Sequence, residues 1–229
     1  MFNNKTNCFC GGSFSSVGIV QDVSVFHCAT CNSLLTDVVS EESYDEQYKQ
    51  KYVGRERTDT GVRLNLSRLG ILAEFTPVQG VHLDFGGGVG TVCAYARPYF
   101  DSYVVDTEYT HKHPLAKVVS PLVTKVDTLT LFDVLEHFAS PLELLQQLVK
   151  KHTPSTIIIS SPYVCPRQNT VSFLNNFIHF KPKEHYWLFS AEGLTRLLNK
   201  LGYAVESFRY NEETLRKSQV ITVVGGLLQ

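Results

Sequence analysis

After Pro77, short apolar runs alternate with longer amphipathic segments along the chain. The runs whose length and composition predict strands are residues 81–85, 103–106, 118–119, 128–132, 156–160, 204–210 and 219–224. The segments with helical periodicity are residues 91–99, 141–152 and 191–201. Strands and helices in alternation predict an α/β fold with a doubly wound, mostly parallel seven-stranded sheet.

The end of the chain carries two further signals. Ser190 is a good N-cap for a helix that begins at residue 191, and Gly202 is placed to end that helix. Residues 211–218 join the last two strands, and this connection is too short for the crossover that parallel neighbours require. We therefore predict that the last two strands pair antiparallel.

The first part of the chain follows a different pattern. Residues 17–20 and 23–27 predict a hairpin, and Leu34-Leu35 predicts a third short strand. From residue 40 the chain is polar and contains several tyrosines, and apolar residues then recur at helical spacing up to Leu72. The predicted segments are a small module (1–39), a helical connector (40–76) and a main domain (77–229).

Composition supports a globular chain without an extreme charge. Its 229 residues are 43% hydrophobic and 19% charged, which is typical of one ordinary domain with a small attachment. A formal net charge of −1 gives no support for nucleic-acid binding. The N-terminus lacks the apolar run of a signal peptide, and no run reaches the ~18 apolar residues of a membrane span. We expect a cytoplasmic protein with no membrane contact.

Four of the six cysteines fall in two close pairs, within CFCGG (8–12) and CATC (28–31). Two such pairs around a hairpin are typical of a zinc ribbon, in which four thiolates surround a structural ion. The first pair departs from the usual C-x-x-C spacing, since Asn7 stands where a ribbon has its first cysteine. The alternatives are a site in which His27 replaces one cysteine, and unliganded buried thiols. The predicted zinc ligands are Cys8, Cys10, Cys28 and Cys31.

The strongest motif is VHLDFGGGVG at residues 81–90, where an apolar strand ends in alternating glycines and leads into a helix. Glycines at the carboxyl edge of a first strand let a ligand lie close to the backbone. The dinucleotide pattern G-x-G-x-x-G is not met, because Thr91 stands at its last position, and no Gly-Lys-Ser/Thr of a P-loop follows. Pyrophosphate is therefore not the expected ligand.

In this motif the chain resembles the class I S-adenosylmethionine (SAM)-dependent methyltransferases. The resemblance continues in TLTLFDVLEH (128–137), IIISSP (157–162) and HYWLFS (185–190), so it covers most of residues 81–203. The cysteine cluster followed by Tyr48 and Tyr52 is similar to a subgroup with an amino-terminal zinc ribbon, several of whose members methylate sugars. The resemblance implies a Rossmann-like fold, SAM as cofactor and methyl transfer as the activity.

The chemistry of SAM suits these residues. Backbone N–H groups at the glycine loop and the following helix start favour a carboxylate. Asp106 ends the second strand and is predicted to accept the ribose hydroxyls, with Glu108 as the alternative. The resemblance implies that Asp84 orders the loop and that the backbone at Phe132 and Asp133 lies beside the methionine end. Only 118–121 remains for a third strand, so the adenine contact is left open. The residues predicted to bind the cofactor are Asp84, Gly86, Gly88, Gly90, Asp106, Phe132 and Asp133.

Methyl transfer needs a base only if the acceptor must lose a proton. His185 and His137 are the leading candidates for that base, and either residue also has a structural interpretation. The weaker candidates are His179 and Tyr163. Cys93 is expected in the core, and a nucleophilic role for Cys165 is disfavoured. Tyr48 and Tyr52 either close over the cofactor or only pack the connector.

We expect transfer of a methyl group from SAM to a small acceptor, such as a sugar or glycan hydroxyl. Two rival functions remain. One is methylation of a protein or nucleic acid, with the ribbon as a docking module. The other is a SAM-binding scaffold without catalysis. Turnover of the cofactor distinguishes the enzyme from the scaffold.

Overall fold

A computed structural model describes residues 7–37, 50, 53–106, 113–118, 123–182 and 184–228. Tyr48, Tyr52 and Glu108, which have candidate roles above, lie outside the described residues. The strands are β1 (Phe14–Val20), β2 (Val23–Cys28), β3 (Leu34–Thr36), β4 (Val81–Phe85), β5 (Asp101–Val105), β6 (Lys117–Val118), β7 (Thr128–Phe132), β8 (Thr156–Pro162), β9 (Trp187–Leu188), β10 (Tyr203–Arg209) and β11 (Val220–Leu227). The helices are α1 (Asp59–Phe75), α2 (Thr91–Ala96), α3 (Pro141–His152), α4 (Val171–Asn176), α5 (Ala191–Asn199) and α6 (Asn211–Arg216), with a 3-10 turn at Leu135–His137.

The main sheet has seven strands in the order β10-β11-β8-β7-β4-β5-β6. Strands β6, β5, β4, β7 and β8 are parallel, whereas β11 runs antiparallel to both β8 and β10. This confirms the predicted mostly parallel sheet with an antiparallel last hairpin. Within the described residues, strand β6 covers Lys117–Val118, which overlaps the short third strand that the sequence predicts.

Side chains that alternate along each strand build a core on both faces of this sheet. In β8, Ile157 and Ile159 pack in a cluster with residues of α3 and α5, whereas Ile158 packs with residues of α1 and α2. All three isoleucines are fully buried. Helices therefore cover both faces, and the predicted doubly wound arrangement is confirmed.

The N-terminal cysteine module shares a second sheet with the main domain. Strands β1, β2 and β3 pair antiparallel, and β9 adds to the edge of β3 through Leu34–Leu188 and Leu35–Trp187 pairs. Phe9 packs edge-on against Trp187, with ring centroids 4.9 Å apart. The module is thus fixed to the segment just before α5. The segment boundaries 1–39, 40–76 and 77–229 remain predictions.

Helix α1 buries a face different from the one that its apolar spacing predicts. Its buried residues include Asn65, Arg68 and Leu72, which recur at helical spacing. Leu66, one of the apolar residues used to predict the helix, is 52% exposed. The helix therefore presents the polar side chains of Asn65 and Arg68 to the interior, where they border a cavity.

Candidate active site

A cavity of about 630 Å³ lies at the carboxyl ends of β4, β5 and β7. This is the edge at which open α/β sheets bind ligands, and the volume is within the usual range for cofactor and small-molecule sites. The cavity lining includes the glycine loop that follows β4, the 3-10 turn after β7 and the loop before β9. Polar residues of α1 form part of the wall.

The glycine loop packs too closely for side chains at two of its positions. A Cβ at Gly86, which has a φ of +71°, would lie 2.6 Å from Val134 Cγ2. A Cβ at Gly87 would lie 2.4 Å from the carboxylate oxygen Asp84 Oδ2. Gly86 and Gly87 therefore let the loop pack against Val134 and Asp84, and the same loop lines the cavity.

Asp84 is buried beneath this loop. Thr130 Oγ1 donates a hydrogen bond to Asp84 Oδ1 at 2.6 Å. Burial raises the pKa of Asp84 to about 6, although the hydrogen bond from Thr130 opposes this shift. The carboxyl group is held at the base of the cavity and borders it.

Asp106 follows β5 and lies beside the same loop. Its Oδ2 accepts a hydrogen bond from the backbone N–H of Gly88 at 2.8 Å. This contact joins the ends of two neighbouring parallel strands and places a carboxylate at the cavity wall. The arrangement suits a group that must accept hydrogen bonds from a bound diol.

A cluster of buried charges, which sequence reasoning missed, lies next to Phe132. Asp133 Oδ2 accepts hydrogen bonds from Arg68 Nη2 at 2.6 Å and from Arg216. Glu212, which is 1% exposed, pairs with both arginines. Arg68 also lies over the ring of Phe132, with its guanidinium carbon 4.7 Å from the ring centroid. The only sequence signal was a polar residue, Arg68, on the helix face that also carries Leu72.

These arginines fix the ionisation of Asp133. Burial alone would raise the pKa of its carboxyl, but Arg216 and Arg68 reverse that effect and hold the pKa well below its usual range. Asp133 has a φ of +57°, a conformation that Asp tolerates better than most residues. Asp133 Oδ1 and Arg216 Nε are buried and have no hydrogen-bond partner within the part of the chain that the structure describes.

The two leading base candidates lie side by side in the cavity lining. The rings of His137 and His185 lie edge to face with centroids 4.7 Å apart. His137 Nδ1 is 3.1 Å from the carbonyl oxygen of Glu184, and His185 Nδ1 is 3.0 Å from that of His179. Because a carbonyl oxygen only accepts, Nδ1 is the donor in each neutral ring and Nε2 carries the lone pair.

Glu136 completes this group. A nitrogen of each imidazole and a carboxylate oxygen of Glu136 all lie within 4.8 Å of one another. Burial, followed by the charge of Asp133, raises the pKa of Glu136 to about 8. Burial also lowers the pKa of His137, and it lowers that of His185 well below its ordinary value with help from His137 and Lys181. Both imidazoles are therefore neutral at neutral pH.

The remaining candidates have less access to the cavity. His179 borders it, but its Nε2 lies 2.7 Å from Ser218 Oγ. Tyr163 and Cys165 are not among the lining residues, and burial raises the pKa of Tyr163. Cys93 is buried on α2, with its Sγ 3.2 Å from the carbonyl oxygen of Tyr103. Of the predicted cofactor residues, only Gly90 is absent from the lining, and a Cβ at this position would meet Ala116 and Val104.

The four N-terminal cysteines converge on one point. Their Sγ atoms all lie within 4.8 Å of one another, with Cys8 and Cys31 3.6 Å apart and Cys10 and Cys28 3.5 Å apart. Zn–S bonds of about 2.3 Å in a tetrahedron give S–S distances of about 3.8 Å, so the donor set fits zinc.

The backbone at Gly12 lies close to the cysteine sulfur atoms. Gly12 N–H donates to Cys10 Sγ at 3.3 Å, and a Cβ at Gly12 would lie 2.9 Å from Cys28 Sγ. The hydrogen bond between the Cys8 and Cys31 thiols lowers the pKa of Cys31 to about 5 and raises the pKa of Cys8. His27, the alternative ligand, instead lies 3.3 Å from Asn32 through its Nε2 and is not part of the cluster.

The cysteine module contacts the segment that carries His185. Thr36 N–H donates to the carbonyl oxygen of Tyr186 at 2.9 Å, and Thr36 Oγ1 donates to that of His185. Ser190, the N-cap of α5, donates through Oγ to the carbonyl oxygen of Cys31. The backbone of His185 is thus fixed by the module as well as by the main domain.

Comparison with known proteins agrees with this architecture. The profile of a methyltransferase domain family matches residues 55–207, which is more than half of the chain. The chain belongs to the class I SAM-dependent methyltransferases. A search of curated protein sequences gave no significant match. No helix within the described residues of this methyltransferase is both long and apolar enough to cross a membrane.

Solved structures share the fold of this methyltransferase at low sequence identity. Magnesium protoporphyrin IX methyltransferase from Synechocystis PCC 6803 aligns with a TM-score of 0.60 at 11% identity, covering 81% of this chain and 96% of that one. The 1,6-didemethyltoxoflavin-N1-methyltransferase from Burkholderia thailandensis aligns with a TM-score of 0.56 at 14% identity, covering 89% and 99% respectively. A SAM-dependent methyltransferase from Archaeoglobus fulgidus aligns with a TM-score of 0.53 at 17% identity, covering 77% and 99%.

Proposed function

We propose that this methyltransferase transfers the methyl group of SAM to a hydroxyl group of a small molecule, such as a sugar or a glycan. The observation that carries the proposal is one cavity that reaches from the glycine loop to the His137–His185 pair. Two of the similar structures are named for porphyrin and toxoflavin acceptors, which are small molecules. A formal net charge of −1 gives no support for a nucleic-acid acceptor.

The cofactor occupies the glycine-loop end in this proposal. The loop backbone at Gly86 and Gly88 takes the aminocarboxylate end, with Asp84 ordering the loop from below. Asp106 accepts the ribose hydroxyls, since its carboxylate is already oriented by the Gly88 N–H at 2.8 Å. The backbone of Phe132 and Asp133 lies beside the methionine portion, while the Asp133 carboxylate remains paired with arginine.

The acceptor occupies the histidine end. Its hydroxyl oxygen attacks the methyl carbon while the carbon–sulfur bond breaks, which turns the sulfonium into a thioether. The acceptor proton passes to the lone pair on His185 Nε2, because Nδ1 already donates to the His179 carbonyl oxygen. His137 is the competing base, since its ring is 4.7 Å away and its Nδ1 is engaged in the same way.

The cysteine module has a structural role in this proposal. Its four thiolates bind one zinc ion and leave no open position for a substrate. A ribbon of about 30 residues has little core of its own, so the ion stabilises the fold locally. The S–S distances of 3.5 and 3.6 Å support this assignment, and the hydrogen bonds of Thr36 link the module to the acceptor end.

The test is a screen of acceptors with purified protein, read out as formation of S-adenosylhomocysteine (SAH). Sugars, glycans and other small alcohols form one arm, and protein and RNA form the other. SAH produced only with a small alcohol supports the proposal, whereas SAH produced only with a macromolecule assigns the site to that class. Binding of SAM without turnover in any arm would favour the non-catalytic scaffold.

A further inference from the structure

We propose that Glu136, His137 and His185 form a second metal site, distinct from the cysteine cluster, that binds one divalent transition-metal ion at the acceptor end of the cavity. The proposal deepens the proposed function, because it concerns the same end of the same cavity. One potential ligand atom from each of the three side chains lies within 4.8 Å of the others. All three residues line the cavity.

The surroundings of the two imidazoles are those of metal ligands. Histidines that bind metals usually donate their other ring N–H to a carbonyl or carboxylate, which fixes the tautomer and the ring orientation. Both rings here are held in this way, by the carbonyl oxygens of Glu184 and His179 at 3.1 and 3.0 Å. Each ring therefore carries its lone pair on Nε2.

The carboxyl group of Glu136 is oriented in a comparable way. Ser161 Oγ donates to Glu136 Oε2 at 3.1 Å, whereas Oε1 is buried and has no hydrogen-bond partner within the residues that the structure describes. An unsatisfied buried oxygen is costly and calls for a partner. A cation bound among the three side chains would offer the Glu136 carboxylate a further partner.

Two imidazole nitrogens and one carboxylate oxygen select a particular class of ion. This donor set suits first-row transition ions such as Fe²⁺, Co²⁺ and Zn²⁺ better than Mg²⁺ or Ca²⁺, which prefer oxygen ligands only. Three protein ligands also leave coordination positions open, as in catalytic rather than structural sites. The cavity adjoins the site, so an acceptor oxygen can occupy one of those positions.

The metal site changes the role of the histidines in the proposed function. Once an ion is bound, the two Nε2 atoms are ligands and not bases, and the ion polarises the acceptor hydroxyl instead. Glu136, which has no role in the base mechanism, becomes essential. A variant at Glu136 therefore separates the two accounts of the same site.

Cobalt(II) chloride is the probe, added to protein whose cysteine site has first been filled with zinc. Binding is followed by visible absorption and by metal content after gel filtration, and SAH affinity is measured on the same samples. We expect one additional Co²⁺ per chain without a thiolate charge-transfer band. Glu136→Gln, which keeps the size of the side chain, and His185→Gln should each weaken Co²⁺ binding by roughly tenfold or more while SAH still binds.

His152→Gln is the matched control, because His152 is also a buried histidine whose Nδ1 faces a carbonyl oxygen, at 3.0 Å from Val123. It ends α3 and does not line the cavity, so Co²⁺ affinity should not change. Absence of a second ion, a thiolate band on the added cobalt, or unchanged affinity in Glu136→Gln would overturn the metal site. Turnover without ion binding overturns the metal site but leaves the proposed function standing. Ion binding without turnover on any acceptor supports the metal site but overturns the proposed function.

Discussion

Asp106 offers the sharpest test of the cofactor site, through the substitution Asp106→Asn. In the structure its Oδ2 accepts from the Gly88 N–H at 2.8 Å. An asparagine can retain that bond through its single carbonyl oxygen. It loses the negative charge, and its NH₂ group cannot accept a hydrogen bond from a ribose hydroxyl. The variant should therefore keep the loop in place and lose affinity for the cofactor.

The size of the loss follows from the bonds that change. A hydrogen bond to a charged group contributes about 1–3 kcal/mol, and the Gly88 bond is weakened but not removed. Since about 1.4 kcal/mol corresponds to a factor of ten, the dissociation constant for SAH should rise roughly 5- to 150-fold. The thermal stability of the unliganded protein should change little, because Asp106 lies at the cavity wall.

Isothermal titration of wild type and variant with SAH measures this effect. Asp101→Asn is the matched control, because Asp101 begins the same strand and its side chain is 41% exposed beside Lys117. The control should bind SAH as the wild type does. Equal SAH affinity in Asp106→Asn and wild type would refute the ribose assignment and transfer the role to Glu108.

Four further outcomes are expected. Asp84→Asn should stabilise the fold, because burial raises the pKa of Asp84 from 3.8 to about 6; the ionised form is then disfavoured in the folded state. In urea unfolding, the free energy of unfolding of the variant should exceed that of the wild type by an amount that grows from pH 4 to pH 6 and reaches about 3 kcal/mol. A difference that does not depend on pH would contradict this. Asp133→Asn should lower the free energy of unfolding by about 3 kcal/mol, because it leaves the two buried arginine charges with Glu212 as their single carboxylate partner in the cluster; a loss under about 1 kcal/mol in urea unfolding would show that the Asp133 ion pairs contribute little. His185→Gln should retain SAH binding but reduce SAH formation with an authentic acceptor by about 10²-fold or more, and unchanged turnover would argue for catalysis by proximity alone. Removal of zinc with a chelator should increase hydrogen exchange in residues 7–37 and lower turnover through the Thr36 contacts, while the main sheet stays folded; unchanged exchange would show that no ion supports the module.

Local sequence determined the elements and the place of the cofactor loop. The alternation of apolar runs and amphipathic segments depends on the period of strands and helices, which is a property of neighbouring residues. The Ser190 cap, which accepts from the Gly193 N–H at 2.8 Å, and the antiparallel last hairpin follow from equally local rules. The paired cysteines likewise predicted a cluster that the structure forms.

Tertiary structure decided which distant residues meet. Arg68 and Arg216 reach Asp133 across separations of 65 and 83 residues, and no local period indicates such a pairing. The same applies to His137 and His185, whose rings are brought to 4.7 Å by the turn after β7 and the segment that Thr36 holds. Local propensities fix each element in the chain, whereas contacts across the fold depend on how the elements pack. The burial of Asn65 and Arg68 on α1 is explained by the tertiary structure, which places the cavity beside that helix.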